Sequence, residues 1–479
     1  MDSVAAALDR LTEVATSRPV ARLSQAFAEA GQELALVGGP VRDAFLGRSA
    51  PDLDFTTDAT PERILEIVRP IASAHWDIGR AFGTIGAKVA GETVEITTYR
   101  ADSYDADSRK PEVVFGDSLE GDLGRRDFTV NAMALRLPER VLVDPTGGLE
   151  DLMAGRLRTA SDPDVSFDDD PLRMMRAARF TASLGFVLDD AARVSMTERA
   201  ERIGIISAER VRDELVKLIS SDAPHAGLEL LVDTGIAERI LPELPALRLT
   251  VDGEHRHKDV YEHSLTVLDQ AIELEGSRSD DPDRTPDVVV RLAALLHDIG
   301  KPATRRFEGG GTVTFHHHDV VGAKLARKRL RALRFDNATI DSVGALIELH
   351  QRFFGYTEGG WTDSAVRRYV RDAGDQLERL HILTRADVTT RNRRKAERLA
   401  HAYDDLETRI AELAAREEMD SVRPDLTGEQ IMDALDISPG PAVGRAYRFL
   451  LELRLDEGPL GEEEATRRLL TWWAEGGKD

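Results

Sequence analysis

The sequence predicts an α+β protein, with a mixed α/β head leading into an all-helical body, and three observations predict it. From residue 34 to about 145, short β-rich runs such as "LALV", "LDFTT", "TVEITTY" and "RVLVDP" alternate with helical stretches and Gly/Pro turns. After "DPTGGLEDLMAG" the texture changes to Ala-, Leu- and Arg-rich segments broken by turn signals such as "LGFVLDD", "DTGIAER" and "ILPELP". A length of 479 residues with 42% apolar side chains is enough for about three domains with packed cores.

Composition narrows the class. Asp and Glu (86) outnumber Lys and Arg (63), giving a net charge of −23 and a pI near 5.0. Proteins that coat nucleic acid are mostly basic, so non-specific binding is disfavoured and no DNA partner is expected. Three arginine clusters, "LRMMRAARF", "AKLARKRLRALRF" and "RNRRKAER", read as solvated helix faces that leave room for a local basic groove. No apolar run approaches the ~20 residues of a membrane helix, so no membrane partner is expected. The N-terminus lacks a basic-then-apolar signal pattern, and without cysteine there is no disulfide, thiolate or cysteine zinc site. A cytoplasmic protein is the expectation.

Residues 1–34 read as an N-terminal helical segment of one amphipathic helix or two short ones, and residues 35–150 as the head. Within the head, "LVGGPVRDAFLGRSAPDLDF" carries Asp52 and Asp54 two apart, which a strand would project side by side. Two carboxylates that close repel unless a cation lies between them, as in a Mg²⁺ clamp for phosphoryl transfer. Gly38 and Gly39 follow an apolar strand and precede an Arg-bearing helix, where bare N–H groups could hold phosphates. Glu95 in "VEITTYR" lies on another strand, with Val94 and Ile96 facing the opposite way. In "RRDFT" Asp127 reads as a helix cap pairing an arginine.

Residues 151–250 read as a helical neck. In "DDPLRMMRAARF", Pro171 suits the first helical position and makes Asp170 the N-cap. Arg173, Arg176 and Arg179 recur every three residues along one face, a like-charge stripe that calls for an anion over it. The acidic "EGSRSDDPDRTPD" (275–287) reads as an exposed loop. Residues 251–395 and 396–479 read as two further helical regions, and "PGPAVG" in the second as a turn opening a helix.

"LVGGPVRDAFLGR…PDLDFTTDATPE", "VEITTYR", "RRDFTVNAMAL", "DPTGGLEDL" and "DDPLRMMRAARF" occur in this order. Together they resemble the signature blocks of class II tRNA nucleotidyltransferases, the superfamily of CCA-adding enzymes and bacterial poly(A) polymerases. The resemblance implies a nucleotidyltransferase head in which Asp52 and Asp54 bind catalytic Mg²⁺ with Glu95 as third carboxylate. It puts Gly38, Gly39, Arg42 and Asp43 at the triphosphate, and Arg126, Asp127 and Asn131 at the ribose and triphosphate. It also implies that Asp170 and Arg173 present acceptor and donor to the edges of C and A, with Arg176 and Arg179 as further nucleotide contacts. Asp169 departs from the family's usual Glu, and Arg210 and Glu214 of "ISAERVRDELVKLI" are read as structural.

"YEHSL", "LLHDIGKP", "FHHHDVVGAK" and "TRADVTT" resemble the HD phosphohydrolase pattern. That resemblance implies a second divalent or transition metal on His263, His297, Asp298, His318 and Asp387, with His350 as an extra ligand, in a domain that is either hydrolytic or structural. The tail from Leu426 resembles the C-terminal RNA-binding module of CCA-adding enzymes. The expected partners are therefore tRNA, at its 3′ end and acceptor/elbow region, with CTP and ATP. In "DIGRAFGTIGAKV" (77–89) the Phe-Gly-Thr-Ile run resembles CCA-adding members and lacks the double basic pair of poly(A) polymerases. CCA addition is the expected activity; poly(A) synthesis and HD phosphohydrolysis are the alternatives.

Overall fold

A computed structural model describes residues 4–48, 53–77, 79, 83–103, 112–116, 118–248, 260–279, 281, 284–308, 313–353, 355–356, 361–390, 392–417 and 423–477. The chain divides into two compact units, Met1–Pro242 and Glu243–Asp479.

In the first unit the N-terminal segment is two helices, α1 (Val4–Thr16) and α2 (Arg18–Glu29), broken at the extended Ser17. Nine strands follow: β1 (Leu34–Val37), β2 (Leu53–Thr57), β3 (Ala72–Trp76), β4 (Thr84–Val89), β5 (Glu92–Thr98), β6 (Arg100–Ser103), β7 (Glu112–Phe115), β8 (Ala134–Leu137) and β9 (Val141–Val143). Seven form one sheet in the order β3-β4-β5-β2-β1-β8-β9, while β6 and β7 make a separate antiparallel pair. Only β2 and β5 pair in parallel; every other contact in the large sheet is antiparallel.

Alternation sets the two faces of that sheet. Ile85, Ala87, Val89, Val94 and Ile96 are fully buried on one face, where α4 (Pro61–Val68) packs against β4 and β5. Burying each large aliphatic side chain contributes about 1.5–3 kcal/mol, so the register cannot slip without exposing the set. The other face carries Asp54, Thr56, Thr84, Gly86, Lys88, Glu95 and Thr97. It is mostly polar across β2, β4 and β5, while toward β1 and β8 the same face carries Ala35, Val37 and Ala134, packed with Leu119 and Leu123.

The rest of the first unit is helical apart from a short parallel pair, Arg156–Leu157 with Val187–Leu188: α5 (Leu119–Gly124), α6 (Gly148–Ala154), α7 (Pro163–Asp169), α8 (Leu172–Leu184), α9 (Asp190–Glu198), α10 (Ala208–Ile219), α11 (His225–Asp233) and α12 (Ala237–Ile240). Helix α8 is the hub. It buries Leu172, Met174, Met175, Ala177, Ala178 and Phe180 and packs against both α10 and α11.

The second unit is nearly all helix: α13 (Val260–Ser277), α14 (Val288–Leu296), α15 (Lys301–Thr304), α16 (His318–Ala332), α17 (Asn337–Leu349), α18 (Asp363–Ala373), α19 (Leu377–Ala386), α20 (Arg393–Glu417), α21 (Gly428–Leu435), α22 (Pro441–Glu457) and α23 (Glu462–Ala474). The expected loop at 275–287 begins later than its charge suggested. Helix α13 runs on through Ser277, and Glu275 is buried because it accepts from Arg291 Nε (3.0 Å) and Nη2 (2.8 Å). A fully buried guanidinium needs a carboxylate partner, and that need overrides local polarity. The last three helices share a core of Leu426, Ile431, Leu435, Ala446, Leu450, Ala465 and Leu469, with α22 opening at Pro441 as "PGPAVG" predicts. Among the described residues no helix is long and apolar enough to cross a membrane.

Candidate functional site

The polar face of the sheet gathers the head's carboxylates. Asp54 and Glu95 are register partners on the parallel pair β2/β5, so both project from the same face of adjacent strands. Their neighbours Leu53, Phe55, Val94 and Ile96 are buried on the other face, as the alternation predicts. Asp52 lies outside the described residues.

Beside this pair, on the far side of β2, β1 ends at Gly38 and α3 (Gly39–Leu46) begins. Gly38 has φ 72° and ψ −125°, a conformation that only glycine adopts without strain. That turn presents the first N–H groups of α3, which lack helical partners. Arg42 on α3 donates from Nη1 to Asn131 Oδ1 at 2.6 Å and from Nε to Asp43 Oδ1 at 2.8 Å. Asn131 Nδ2 donates to Asp127 Oδ1 at 3.1 Å, and Asp127 Oδ2 pairs with Arg176 at 2.5 Å. Asp43, Arg42, Asn131, Asp127 and Arg176 thus form one continuous polar chain from α3 to α8. Burial pushes the Asp127 carboxyl up, but Arg176, the Asn131 amide, Arg173 and the Phe128 N–H together hold it below the usual carboxylate range. Arg126 lies beside Gly38 and donates to Asp122 Oδ2 at 3.0 Å.

Helix α8 adds the third wall. Pro171 already has helical angles, and Asp170 Oδ1 accepts from the Leu172 N–H at 3.1 Å, so Asp170 caps the helix as the sequence implied. Its Oδ2 pairs with Arg210 at 3.0 Å. The arginine stripe calls for an anion, and two of its three members find one within the protein. Arg173 is buried and bonds Ser166 Oγ (2.9 Å) and the Arg125 carbonyl (2.7 Å), Arg176 holds Asp127, and Arg179 holds Glu214 at 2.7 Å. Arg176 and Arg179 are thus paired with carboxylates, while Arg173 is held by neutral oxygen atoms. Arg42, Arg176 and Arg179 also surround the Phe180 ring, at 5.4, 5.8 and 4.1 Å from its centroid.

Sequence reasoning missed the carboxylate that organises this corner. Asp122 is fully buried, accepts from Arg125 (2.9 Å), Arg126 (3.0 Å) and Thr56 Oγ1 (3.2 Å), and sits at the i, i+3, i+4 spacing that "DLGRR" displays. Burial raises its pKa, and Arg126 and Arg125 more than reverse this, leaving it lowered.

The second unit holds a separate cluster. His263 Nε2 lies 3.0 Å from Asp387 Oδ1, His297 Nε2 lies 3.2 Å from Asp298 Oδ2, and the two Nε2 atoms face each other at 3.3 Å. His318 Nε2 lies 3.4 Å from Asp298 Oδ1, and the His350 ring lies 5.3 and 5.4 Å from those of His297 and His318. All six sequence-named residues therefore converge, in two potential ligand groups. His316 and His317 are exposed and stand apart. A Cβ on Gly300 would come within 2.1 Å of the His318 carbonyl, so the glycine of "HDIGKP" lets α16 bring His318 against Asp298.

The outer hydrogen bonds fix the chemistry of this cluster. Nδ1 of His297, His318 and His350 bonds the carbonyls of Ala294 (2.9 Å), Phe315 (2.8 Å) and Ile347 (2.6 Å), and Nδ1 of His263 meets Thr389 Oγ1 at 2.9 Å. With the Nδ1 positions donating, the Nε2 lone pairs of His263, His297 and His318 face two aspartates, acceptors pointing at acceptors. His350 Nε2 meets Gln351 Nε2 at 3.1 Å, and Asp298 Oδ2 accepts from Lys301 Nζ at 2.5 Å. Buried His318 Nε2 and Asp298 Oδ1 make no hydrogen bond. Imidazole and carboxylate donors oriented by outer carbonyls fit a divalent or transition metal. Without an ion the repulsion is relieved by protons. Burial pulls the His297 pKa down, but Asp298 and Asp387 raise it to about 10, whereas burial and the His297 charge lower His350 to about 4.

The fold and these two sites define a class, a nucleotidyltransferase-type head joined to an HD-type helical domain. Sequence-family profiles agree: the poly A polymerase head domain matches residues 34–158, the probable RNA and SrmB-binding site of polymerase A matches residues 185–247, and the HD domain matches residues 260–392. The A-adding tRNA nucleotidyltransferase of Deinococcus radiodurans is 34% identical over 451 residues, covering 92% of this chain and 95% of that one. The CC-adding tRNA nucleotidyltransferase of Thermus thermophilus is 31% identical over 448 residues, covering 92% and 93%. The crystal structure of the Bacillus stearothermophilus CCA-adding enzyme in complex with CTP has the same fold, with TM-score 0.69, 23% identity and coverage of 96% and 99%. The chain belongs to the tRNA nucleotidyltransferase family.

Proposed function

We propose that this enzyme builds or repairs the 3′-terminal CCA of tRNA from CTP and ATP, without a template, at the carboxylate face of its head. The observation that carries the reading is the in-register pair Asp54/Glu95 beside the helix N-terminus at Gly38–Gly39. Asp54 and Glu95, with Asp52, would hold Mg²⁺, and their oxygen-only donor set suits that hard cation. When bound, the ions supply charge neutralisation for the triphosphate and a lower pKa for the attacking hydroxyl.

The chain's own groups then have defined tasks. Gly38, Gly39, Arg42 and Arg126 bind the triphosphate, while Asp43 holds the Arg42 guanidinium in place. Asp127 and Asn131 orient Arg176 and Arg42 and meet the ribose. Asp170 and Arg173, with Arg176 and Arg179 behind them, present acceptor and donor to the base edge. Catalysis comes mainly from positioning and electrostatics, because phosphoryl transfer leaves little covalent chemistry to the protein. In the second unit, His263, His297, Asp298, His318, His350 and Asp387 would hold a divalent or transition metal able to hydrolyse phosphoesters. We assign residues 35–150 to the head, 151–250 to the neck, 251–395 to the HD domain and 396–479 to an RNA-binding tail. A tRNA substrate makes the cytoplasm the working compartment.

A second reading is favoured by one observation: two relatives matched along nearly their whole length are an A-adding and a CC-adding enzyme. One assay separates the readings. The purified enzyme is given tRNA ending before the CCA, after one C, or after CC, with CTP, ATP or both. Completion of all three to CCA supports the proposal. Arrest after CC, or A addition to tRNA-CC alone, would reassign it to one half of the reaction. A long A ladder on an oligo(A) primer, without tRNA repair, would make it a poly(A) polymerase.

A further inference from the structure

One large aromatic side chain stands out of place. Trp76, Gly86, Glu95 and Asp54 are successive register partners across β3, β4, β5 and β2, so all four belong to one row on the polar face. At this end of the sheet the hydrophobic core lies on the opposite face, under Ile85, Ala87, Val94 and Ile96; the apolar cluster on the Trp76 face sits at the other end, on β1 and β8. Trp76 is therefore not core. It is half-buried on the edge strand, and its side chain makes no ring contact or hydrogen bond among the described residues. Its indole lies across Gly86: a Cβ there would come within 2.0 Å of Nε1 and 2.2 Å of Cε2. The missing side chain at Gly86 lets the ring lie against the sheet on the row that leads to Glu95.

Strand order gives this ring a direction. The proposed triphosphate groups at Gly38–Gly39 follow β1, on one side of the Asp54/Glu95 pair, and Trp76 lies on β3, on the other side. At about 4.8 Å per strand, β3 is about 10 Å from the Glu95 strand, a span on the scale of one nucleotide. Phosphoryl transfer needs the attacking and leaving oxygens roughly in line, so the acceptor RNA approaches from the side opposite the leaving pyrophosphate. That is the Trp76 side.

We propose that Trp76 is a stacking platform for the unpaired 3′-terminal base of the acceptor RNA, a subsite separate from the one that reads the incoming nucleotide. It rests on the tRNA nucleotidyltransferase reading above. Stacking accepts any base, which suits an acceptor whose end changes identity at each addition.

The test compares wild type, Trp76→Ala and Trp76→Phe on two acceptors, a tRNA lacking CCA and the same tRNA with an abasic 3′-terminal ribose. The readouts are the KM for acceptor, the KM for CTP and the thermal midpoint. Trp76→Ala is expected to raise the acceptor KM roughly ten- to a hundredfold, the size of one base stack, leaving the CTP KM in place. Trp76→Phe should restore most of it. Wild type should lose a similar factor on the abasic acceptor, whereas Trp76→Ala should lose little more. Equal sensitivity of wild type and Trp76→Ala to the missing base would overturn the proposal. So would a Phe variant as impaired as Ala with a matching fall in thermal midpoint, since the ring would then be structural. Wild type adding no nucleotide to intact acceptor would fail the parent reading instead, and this subsite with it.

Discussion

The two polar clusters of this chain solve the problem of concentrated charge in opposite ways. In the head, positive and negative groups alternate: Asp43, Arg42, Asn131, Asp127 and Arg176 form a chain in which every charge has a partner. In the second unit four imidazoles and two aspartates converge; Lys301 pairs with Asp298 Oδ2, yet His318 Nε2 and Asp298 Oδ1 are left without a hydrogen bond. The head's chain is self-paired and must exchange internal bonds for substrate, while the Asp54/Glu95 row beside it calls for a cation. The histidine cluster is incomplete without a cation. Ligand removal should therefore change the stability of the second unit far more than that of the first.

The largest expected effect breaks the head without disturbing its self-consistency. Asp54→Ala should lower nucleotide addition by at least about a thousandfold, roughly 4 kcal/mol of barrier, because a metal ligand at the reacting phosphorus is lost. The thermal midpoint should hardly move, since Asp54 is only half-buried at the sheet surface. Near wild-type extension of tRNA by this variant would remove the catalytic role from the carboxylate row.

A smaller effect, about tenfold, is expected at the base-reading end. Asp170→Ala removes both the cap on α8 and the partner of Arg210. It should alter the ratios of kcat/KM among CTP, ATP, UTP and GTP more than it raises the KM for any triphosphate. Unchanged ratios would leave Asp170 as a helix cap alone.

Asp122 tests whether pairing holds the head together. Its folded pKa is lowered, so its stabilising contribution is present above the unfolded carboxylate value near about 3.9 and is lost as pH falls through the folded value. Asp122→Asn should cost about 2 kcal/mol at pH 7, the cost of breaking a buried pair discounted because Arg125 and Arg126 are partly exposed. The difference from wild type should shrink as the pH falls below the unfolded carboxylate value and through the lowered folded one. A difference that is flat with pH in urea titrations would mean the loss is one of packing.

How much of this was legible in the sequence depends on the kind of interaction. Asp54, Glu95 and their flanking apolar residues follow from strand alternation, a period-two rule that needs no tertiary information. The histidine cluster was legible because adjacent His-Asp followed by Ile-Gly-Lys-Pro is an unusual local pattern. The internal partners of the α8 arginines were not legible, for a physical reason. Spacing shows that Arg173, Arg176 and Arg179 share a stripe, but their partners Asp127, Glu214 and the Arg125 carbonyl are distant in sequence. Likewise, Glu275 looked like part of a solvated charge run because its partner Arg291 lies beyond the loop. Trp76 carried no signal at all, since its meaning lies in which strand stands beside which.

The smallest expected effect on nucleotide addition is also the sharpest test of the comparison. His297→Ala combined with Asp298→Ala removes the centre of the histidine cluster, yet these residues share no ligand with the carboxylate row and lie in the other compact unit. Nucleotide addition should stay within about twofold of wild type. The consequences should appear instead in metal response. A metal that binds only the folded state stabilises it by about 2.7 kcal/mol at a hundred times its dissociation constant, so Mn²⁺ added to chelator-treated wild type should raise the thermal midpoint of the second unit. The double variant should show no such rise, and any metal-dependent hydrolysis of a simple aryl phosphate should vanish with it. Because both side chains are buried, the variant could lose stability for packing reasons alone; His263→Gln, at a half-buried position, supplies a milder substitution in the same ligand group. It too should lose the Mn²⁺ response while keeping tRNA extension. Parallel loss of extension and metal response in both variants would mean that the two clusters depend on each other, and the contrast drawn between a self-paired head and a cation-requiring second unit would fail.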